Sequence, residues 1–183
     1  SLAPRAMLAR FYEHEKRGAE AEKAWAAAVA RFPDHNGLAF DLAACRERNG
    51  DVAGAEAAVR DVLQREPDNP TALNFLGYLW ADHGRRLDEA VDMIARALAQ
   101  DPDNGAYIDS LGWAYYRQGR LAEARIQLER AVRLTHGDPV VLEHLGDVYN
   151  ELRLNDLAKE QYRLVLAADP GNPRVLAKLD ALR

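Results

Sequence analysis

Apolar side chains recur at helical spacing in short blocks separated by turn residues. Leu73, Leu76 and Trp80 are spaced by three and four, which sets them on one helix face, and Ile108, Leu111 and Tyr115 repeat that pattern. The punctuation agrees. Asn69-Pro70, Asp138-Pro139 and Asn172-Pro173 each pair a capping side chain with a proline suited to the first helical position. Gly50, Gly84 and Gly119 stand where a helix would have to stop in a left-handed turn. The pattern predicts a run of short antiparallel helix pairs and no sheet.

The blocks are copies of one another. Leu76-Gly77 returns as Leu111-Gly112 and Leu145-Gly146, each followed three residues after the glycine by Trp80, Tyr115 or Tyr149. Ala21, Ala55, Ala90, Ala124 and Ala158 step by 34, 35, 34 and 34 residues, and Pro33, Pro67, Pro102 and Pro170 each lie twelve after their alanine. This period and signature resemble the tetratricopeptide repeat. The resemblance covers the whole chain and implies an all-α solenoid, a right-handed superhelix of five helix-turn-helix repeats. It sets them near residues 2–35, 36–69, 70–104, 105–138 and 139–172, with a capping helix over 173–183 as one domain. The departures are local: Ala9 and Ala43 stand for the helix glycine and Arg46 for the aromatic. His136 replaces a proline, and Arg85 or Arg86 is an insertion.

In this family the outward face of each first helix lines a concave ligand groove. At about 100° per residue, Asp109, Trp113 and Tyr116 fall opposite the core column of their helix, flanked by Arg117. The matching positions are Asn74, Tyr78, Ala81 and Asp82 in the third repeat, and Glu143, Asp147, Asn150 and Glu151 in the fifth. The expected groove is an aromatic centre bordered by carboxylates, with Trp113 and Tyr78 on a face that no repeat helix needs to bury. The competing reading makes the charges solvation and the aromatics packing between adjacent helices, above all for Tyr116. Trp25, Trp80, Tyr115 and Tyr149 belong to core columns, as does the apolar column of Phe11, Cys45, Leu79, Ala114 and Val148. With Arg117 as the main cation, the face suits a basic or amphipathic segment and lacks the basic clamp by which some family members hold a terminal carboxylate.

Composition narrows the picture. A net charge of −5, with 24 basic residues scattered among 29 acids, points away from nucleic acid. No stretch approaches the twenty apolar residues a membrane span requires. Cys45 is the single cysteine, expected as an inert core thiol, so no internal disulfide forms. His144 and Asp147 share a helix face, but two ligands do not make a metal site, and neither a cofactor loop nor a catalytic triad context is present. An enzyme is the least expected class.

Three stretches carry a narrower resemblance: Asn74-Phe75-Leu76-Gly77-Tyr78, Tyr107-Ile108-Asp109-Ser110-Leu111-Gly112-Trp113 and Glu143-His144-Leu145-Gly146-Asp147. Together they resemble the C-terminal part of large repeat-containing outer-membrane lipoproteins of Gram-negative bacteria, some of which act as adaptors for periplasmic proteases or assembly machinery. That implies a bacterial source and the periplasmic side of the envelope, and Ser1, without an initiator Met, is read as the start of a fragment. The function expected is a protein-interaction scaffold, with repeats three to five most engaged. The alternative is a self-assembling module, using the apolar end near Leu2 and Met7, while Val175, Leu176 and Leu179 are expected to shield the other end.

Overall fold

Eleven α-helices and no strand occur among the described residues, which in this computed structural model are 2–182 without the side chain of Leu2. They run α1 Leu2–His14, α2 Gly18–Arg31, α3 Asn36–Arg48, α4 Val52–Arg65, α5 Pro70–Asp82, α6 Leu87–Gln100, α7 Gly105–Arg117, α8 Leu121–Leu134, α9 Pro139–Glu151, α10 Asn155–Ala168 and α11 Pro173–Asp180. Five antiparallel pairs stack in order, with α11 against α10. The part of the expectation about Leu2's side chain lies outside the described residues.

Every first helix ends in the same turn. One residue takes a positive φ, at Lys16, Gly50, Gly84, Gly119 and Arg153 in turn. The next N–H reaches back to the carbonyl of Tyr12, Arg46, Trp80, Tyr115 or Tyr149 at 2.8–2.9 Å. Glycine adopts this conformation freely, whereas Lys16 and Arg153 carry a strain of about 1–2 kcal/mol each. The insertion in the third repeat is absorbed by Arg86, which is itself left-handed at φ 48 immediately before α6. At the helix starts, Asn69, Asp138 and Asn172 accept from the N–H groups of Ala72, Val140 and Val175. Asn104 and His35 cap α7 and α3 in the same way, without the proline that marks the others.

Within the third, fourth and fifth pairs, the helices approach too closely for a side chain at the recurring glycine position. A Cβ on Gly112 would lie 2.6 Å from Leu128 Cγ, on Gly77 2.7 Å from Ile94 Cγ1, and on Gly146 2.5 Å from Tyr162 Cε1. That contact explains why helices tolerate mid-helix glycine, which costs up to about 1 kcal/mol in propensity. Ala9 and Ala43, fully buried, fill the equivalent places in the first two pairs.

Between pairs, the core column packs on the preceding repeat. Cys45, Leu79, Ala114 and Val148 are all buried, but Phe11 of the same column is 53 % exposed, because no described helix precedes α1. Met7 and Leu8 are exposed beside it. At the other end Val175 is fully buried and Leu179 half-buried. Leu176, expected to shield the fifth repeat, faces solvent instead at 40 % exposure. Trp25, Trp80 and Tyr149 are buried as expected, and each satisfies its polar edge on a carboxylate, Glu13, Glu56 and Glu129 respectively. Burial, together with the Glu129 bond, pushes the Tyr149 hydroxyl up to about 12.

Candidate functional site

Among the first helices, α5 packs on α7 and α7 on α9. Because neighbouring first helices interleave, residues that a helical wheel places opposite the core can still fall in a seam between repeats. Trp113 does so. Its ring is only 8 % exposed, stacked on His144 at 4.1 Å between centroids and on Tyr116 at 4.9 Å. Its Nε1–H donates to Asp82 Oδ1 at 3.0 Å. This overturns the expectation that nothing needs to bury Trp113. Asp109 is buried too, bonded to His144 Nδ1 at 2.9 Å. The ring of His144 is thereby fixed, and it also lies 6.4 Å from that of Tyr78.

The far end of this face is covered by α11. Glu143, 5 % exposed, accepts from Arg174 Nη2 and from Lys178 Nζ, both at 2.7 Å. The same Lys178 ammonium reaches both oxygens of Asp147 at 2.7 Å, and the Tyr162 hydroxyl donates to Asp147 Oδ1 at 2.8 Å. One ammonium has three protons, and here they face two carboxylates four residues apart on α9. Glu143 and Asp147 are therefore paired within the chain, and Arg117, expected as the main cation, shares this face with Lys178 and Arg174. Arg117 donates to the Asp82 backbone carbonyl and lies 3.9 Å from its carboxylate. Lys178 and Arg174 escape a wheel drawn one helix at a time. They emerge when α11 is treated as the first helix of a further repeat, whose basic positions fall opposite the acids of α9. His144 and Asp147, the pair with metal-ligand spacing, point to different partners.

The near end, from α3 to α5, is open. Asn74, Tyr78 and Asp82 follow one another at one-turn intervals along α5, all partly exposed. The Asn74 amide oxygen is shut from solvent without a donor. Burial, then Asp82, Asp109 and Glu47, push the Tyr78 hydroxyl well above its ordinary range, so it stays protonated. Glu47, at the end of α3, is missing from the expected residues because its repeat lacks the aromatic signature. Its carboxylate makes no hydrogen bond or ion pair among the described residues, and burial followed by the nearby Asp82 raises it above the usual carboxylate range. Glu47, Asp82 and His83 each bring one acceptor atom to within 4.8 Å of the other two. Beside them the rings of Phe40 and Phe75 stack at 6.4 Å, bridging α3 and α5.

The remaining expected residues are spread along the seam. Tyr116 is half-buried under Trp113, its hydroxyl raised by burial and by Asp147 and Glu151. Asn150 is partly exposed on α9, apart from the Asn74–Asp82 row. The Cys45 thiol is buried and pushed up by that burial, so it lacks the thiolate character of a nucleophile.

Comparison with known proteins places this architecture. The tetratricopeptide repeat profile matches residues 10–64, 47–105, 84–139 and 110–173. TPR repeat-containing protein PA4667 of Pseudomonas aeruginosa is 40 % identical over 129 residues, 69 % of this chain but 22 % of its own length. The chain thus spans about a fifth of that relative. Among solved structures, the thermophilic TPR protein TTC0263 of Thermus thermophilus superimposes with a TM-score of 0.86 at 18 % identity, over 100 % of this chain and 98 % of its own. PilW, a type IV pilus biogenesis factor, gives 0.77 at 17 % identity, over 98 % and 90 %. Five registered helix pairs, the repeat's own signature and a profile match along most of the length lead to one assignment: the chain belongs to the tetratricopeptide repeat family.

Proposed function

We propose that the chain is a protein-interaction scaffold that takes a basic or amphipathic polypeptide segment along its concave face. One observation carries this reading. Between α3 and α7 the face keeps aromatic rings and carboxylates, Phe40, Phe75, Tyr78, Glu47 and Asp82, that all remain partly exposed. Aromatic anchors with a charged border are the composition of binding surfaces. Of the groove residues expected, Asn74, Tyr78, Asp82, Tyr116, Arg117 and Asn150 remain accessible enough to touch a ligand. Asp109, Trp113, Glu143 and Asp147 act by holding the wall in shape. The engaged region is therefore nearer the middle of the chain than repeats three to five.

The proposed address is the periplasmic side of a bacterial envelope. The likeness to a type IV pilus biogenesis factor supports it. The groove reading is tested by placing a photo-crosslinking residue at position 78 and another at the exposed position 126 on α8, then capturing peptides selected on the chain. Capture at 78 alone is expected, and capture at 126 alone would refute the groove. The exposed Met7 and Phe11 favour self-association as a second reading. A concentration-dependent sedimentation coefficient that Met7→Gln/Phe11→Gln abolishes would establish it.

A further inference from the structure

We infer that the groove between the second helices α2 and α4 is a further contact surface, which takes an arginine and an adjoining apolar side chain from a partner protein. It encloses about 490 Å³ and shares no residue with the row from Asn74 to Asp82, so it stands apart from the concave-face reading. Its floor is apolar: Ala39, Leu42 and Ala58 are 5, 5 and 7 % exposed, with Ala26 and Val29 of α2 half-buried beside them. Asp61 of α4 lines the opposite wall, and its carboxylate makes no hydrogen bond or ion pair among the described residues.

The groove exists because the second repeat departs from the others at two positions. In the third and fifth repeats, the aromatic after the glycine reaches across to the second helix of the preceding repeat. Trp80 Nε1–H donates to Glu56 of α4 at 3.0 Å, and the Tyr149 hydroxyl donates to Glu129 of α8 at 2.9 Å. Arg46 holds that position in the second repeat. Its guanidinium is turned to Glu22 and to the Gly54 carbonyl, both at 3.1 Å, and its linear stem fills less space than a ring.

The second departure names the occupant. Six residues after the recurring alanine, α6 and α8 carry Arg96 and Arg130. Each donates to the carbonyl of the proline that ends the preceding repeat, Arg96 to Pro67 at 3.1 Å and Arg130 to Pro102 at 2.7 Å. Each also reaches the following aspartate, Asp68 at 2.6 Å and Asp103 at 2.8 Å. The matching proline of the first repeat is Pro33, but the matching residue of α4 is Asp61, and both line the groove. No described residue donates to the Pro33 carbonyl, while Asp34 is held by Arg65 at 3.8 Å. The group this boundary lacks is therefore a guanidinium, and a carboxylate stands where the chain elsewhere supplies one. A partner's arginine suits the place, because its planar fork has donors for the carbonyl and the carboxylate together. The residue beside it would cover Ala39, Leu42 and Ala58.

The test is a titration of the intact chain with the capped dipeptide acetyl-leucyl-arginine amide, followed through backbone amide shifts. The comparisons are acetyl-leucyl-citrulline amide, the neutral isostere, and acetyl-seryl-arginine amide, which lacks the apolar side chain. Shifts are expected at residues 26–34 and 58–65, and both comparison peptides should bind about tenfold more weakly. Asp61→Arg supplies the missing group from within the chain. It should abolish the shifts and leave the melting temperature at or above the parent's, whereas Glu160→Arg, the same charge change on α10, should leave binding unaltered. No shift in the groove, equal affinity for the arginine and citrulline peptides, or binding that survives Asp61→Arg overturns the inference. A fall in melting temperature on Asp61→Arg would place the Pro33 carbonyl beyond the reach of an arginine at position 61, and would equally overturn it.

Discussion

The two ends of the concave face are built from similar residues and treated differently by the fold. At α9, Glu143 and Asp147 are covered by α11 and neutralised by Lys178 and Arg174. At α3 and α5, Glu47 and Asp82 lie side by side: Asp82 is held by Trp113 and Arg117 of α7, while Glu47 has no hydrogen bond or ion pair among the described residues. Between the two, Trp113, His144 and Asp109 close the wall by stacking and by a buried hydrogen bond. The difference teaches that an acid on a repeat's inner face is a ligand contact only if the next element of the chain does not reach it.

The most disruptive way to test this division is at its centre. Trp113→Ala removes a buried ring, two stacking contacts and the bond to Asp82, and is expected to cost about 3–5 kcal/mol in a denaturant melt. A melt indistinguishable from the parent would restore the exposed-anchor reading that the sequence favoured. Gly112→Leu attacks the pair behind the wall. Its first added carbon already meets Leu128 at 2.6 Å, so overpacking should cost about 1–3 kcal/mol or more. Lys178→Met acts on the closed end alone. It leaves Glu143 with Arg174 and Asp147 with Tyr162, so a loss of about 1–3 kcal/mol is expected, and retained stability would mean that α11 covers α9 without holding it.

The smallest effect belongs to the open end and has the opposite sign. Burial, then Asp82, raises Glu47 above the ordinary carboxylate range, so the folded chain keeps this proton to higher pH than the unfolded one. Ionised Glu47 therefore opposes folding at neutral pH, and the penalty shrinks as pH falls through the raised value toward that of a free carboxylate. Glu47→Gln should melt slightly higher than the parent near about pH 7, with the gain lost near about pH 4. A lower melt at neutral pH would mean that an unrecognised partner already holds Glu47.

Much of the fold was legible because its determinants are local. Gly77, Gly112 and Gly146 mark the close approaches, and Gly50, Gly84 and Gly119 mark the turns. Lys16 and Arg153 make the same turn without a residue type that announces it. The candidate site was legible as a face but not as a surface. A helical wheel gives direction relative to one helix, whereas the exposure of Trp113, Asp109 and Glu143 is decided by the neighbouring first helix and by α11. Glu47 and the Phe40–Phe75 pair were hidden because the second repeat carries Ala43 and Arg46 where the signature has glycine and an aromatic. Phe11 misled in the reverse direction, since its column is buried only where a preceding repeat exists.

The division between a closed and an open acidic end is most directly tested without any partner, by paramagnetic relaxation of backbone amides in the intact chain. A cationic nitroxide is compared with its neutral analogue at matched concentration and low salt, where uncompensated charge attracts the probe over about 10 Å. Excess relaxation from the cationic probe is expected at residues 44–48 and 78–83 and absent at 143–147, where Lys178 and Arg174 already occupy the carboxylates. Equal excess at both ends, or excess centred on α9, would contradict the account.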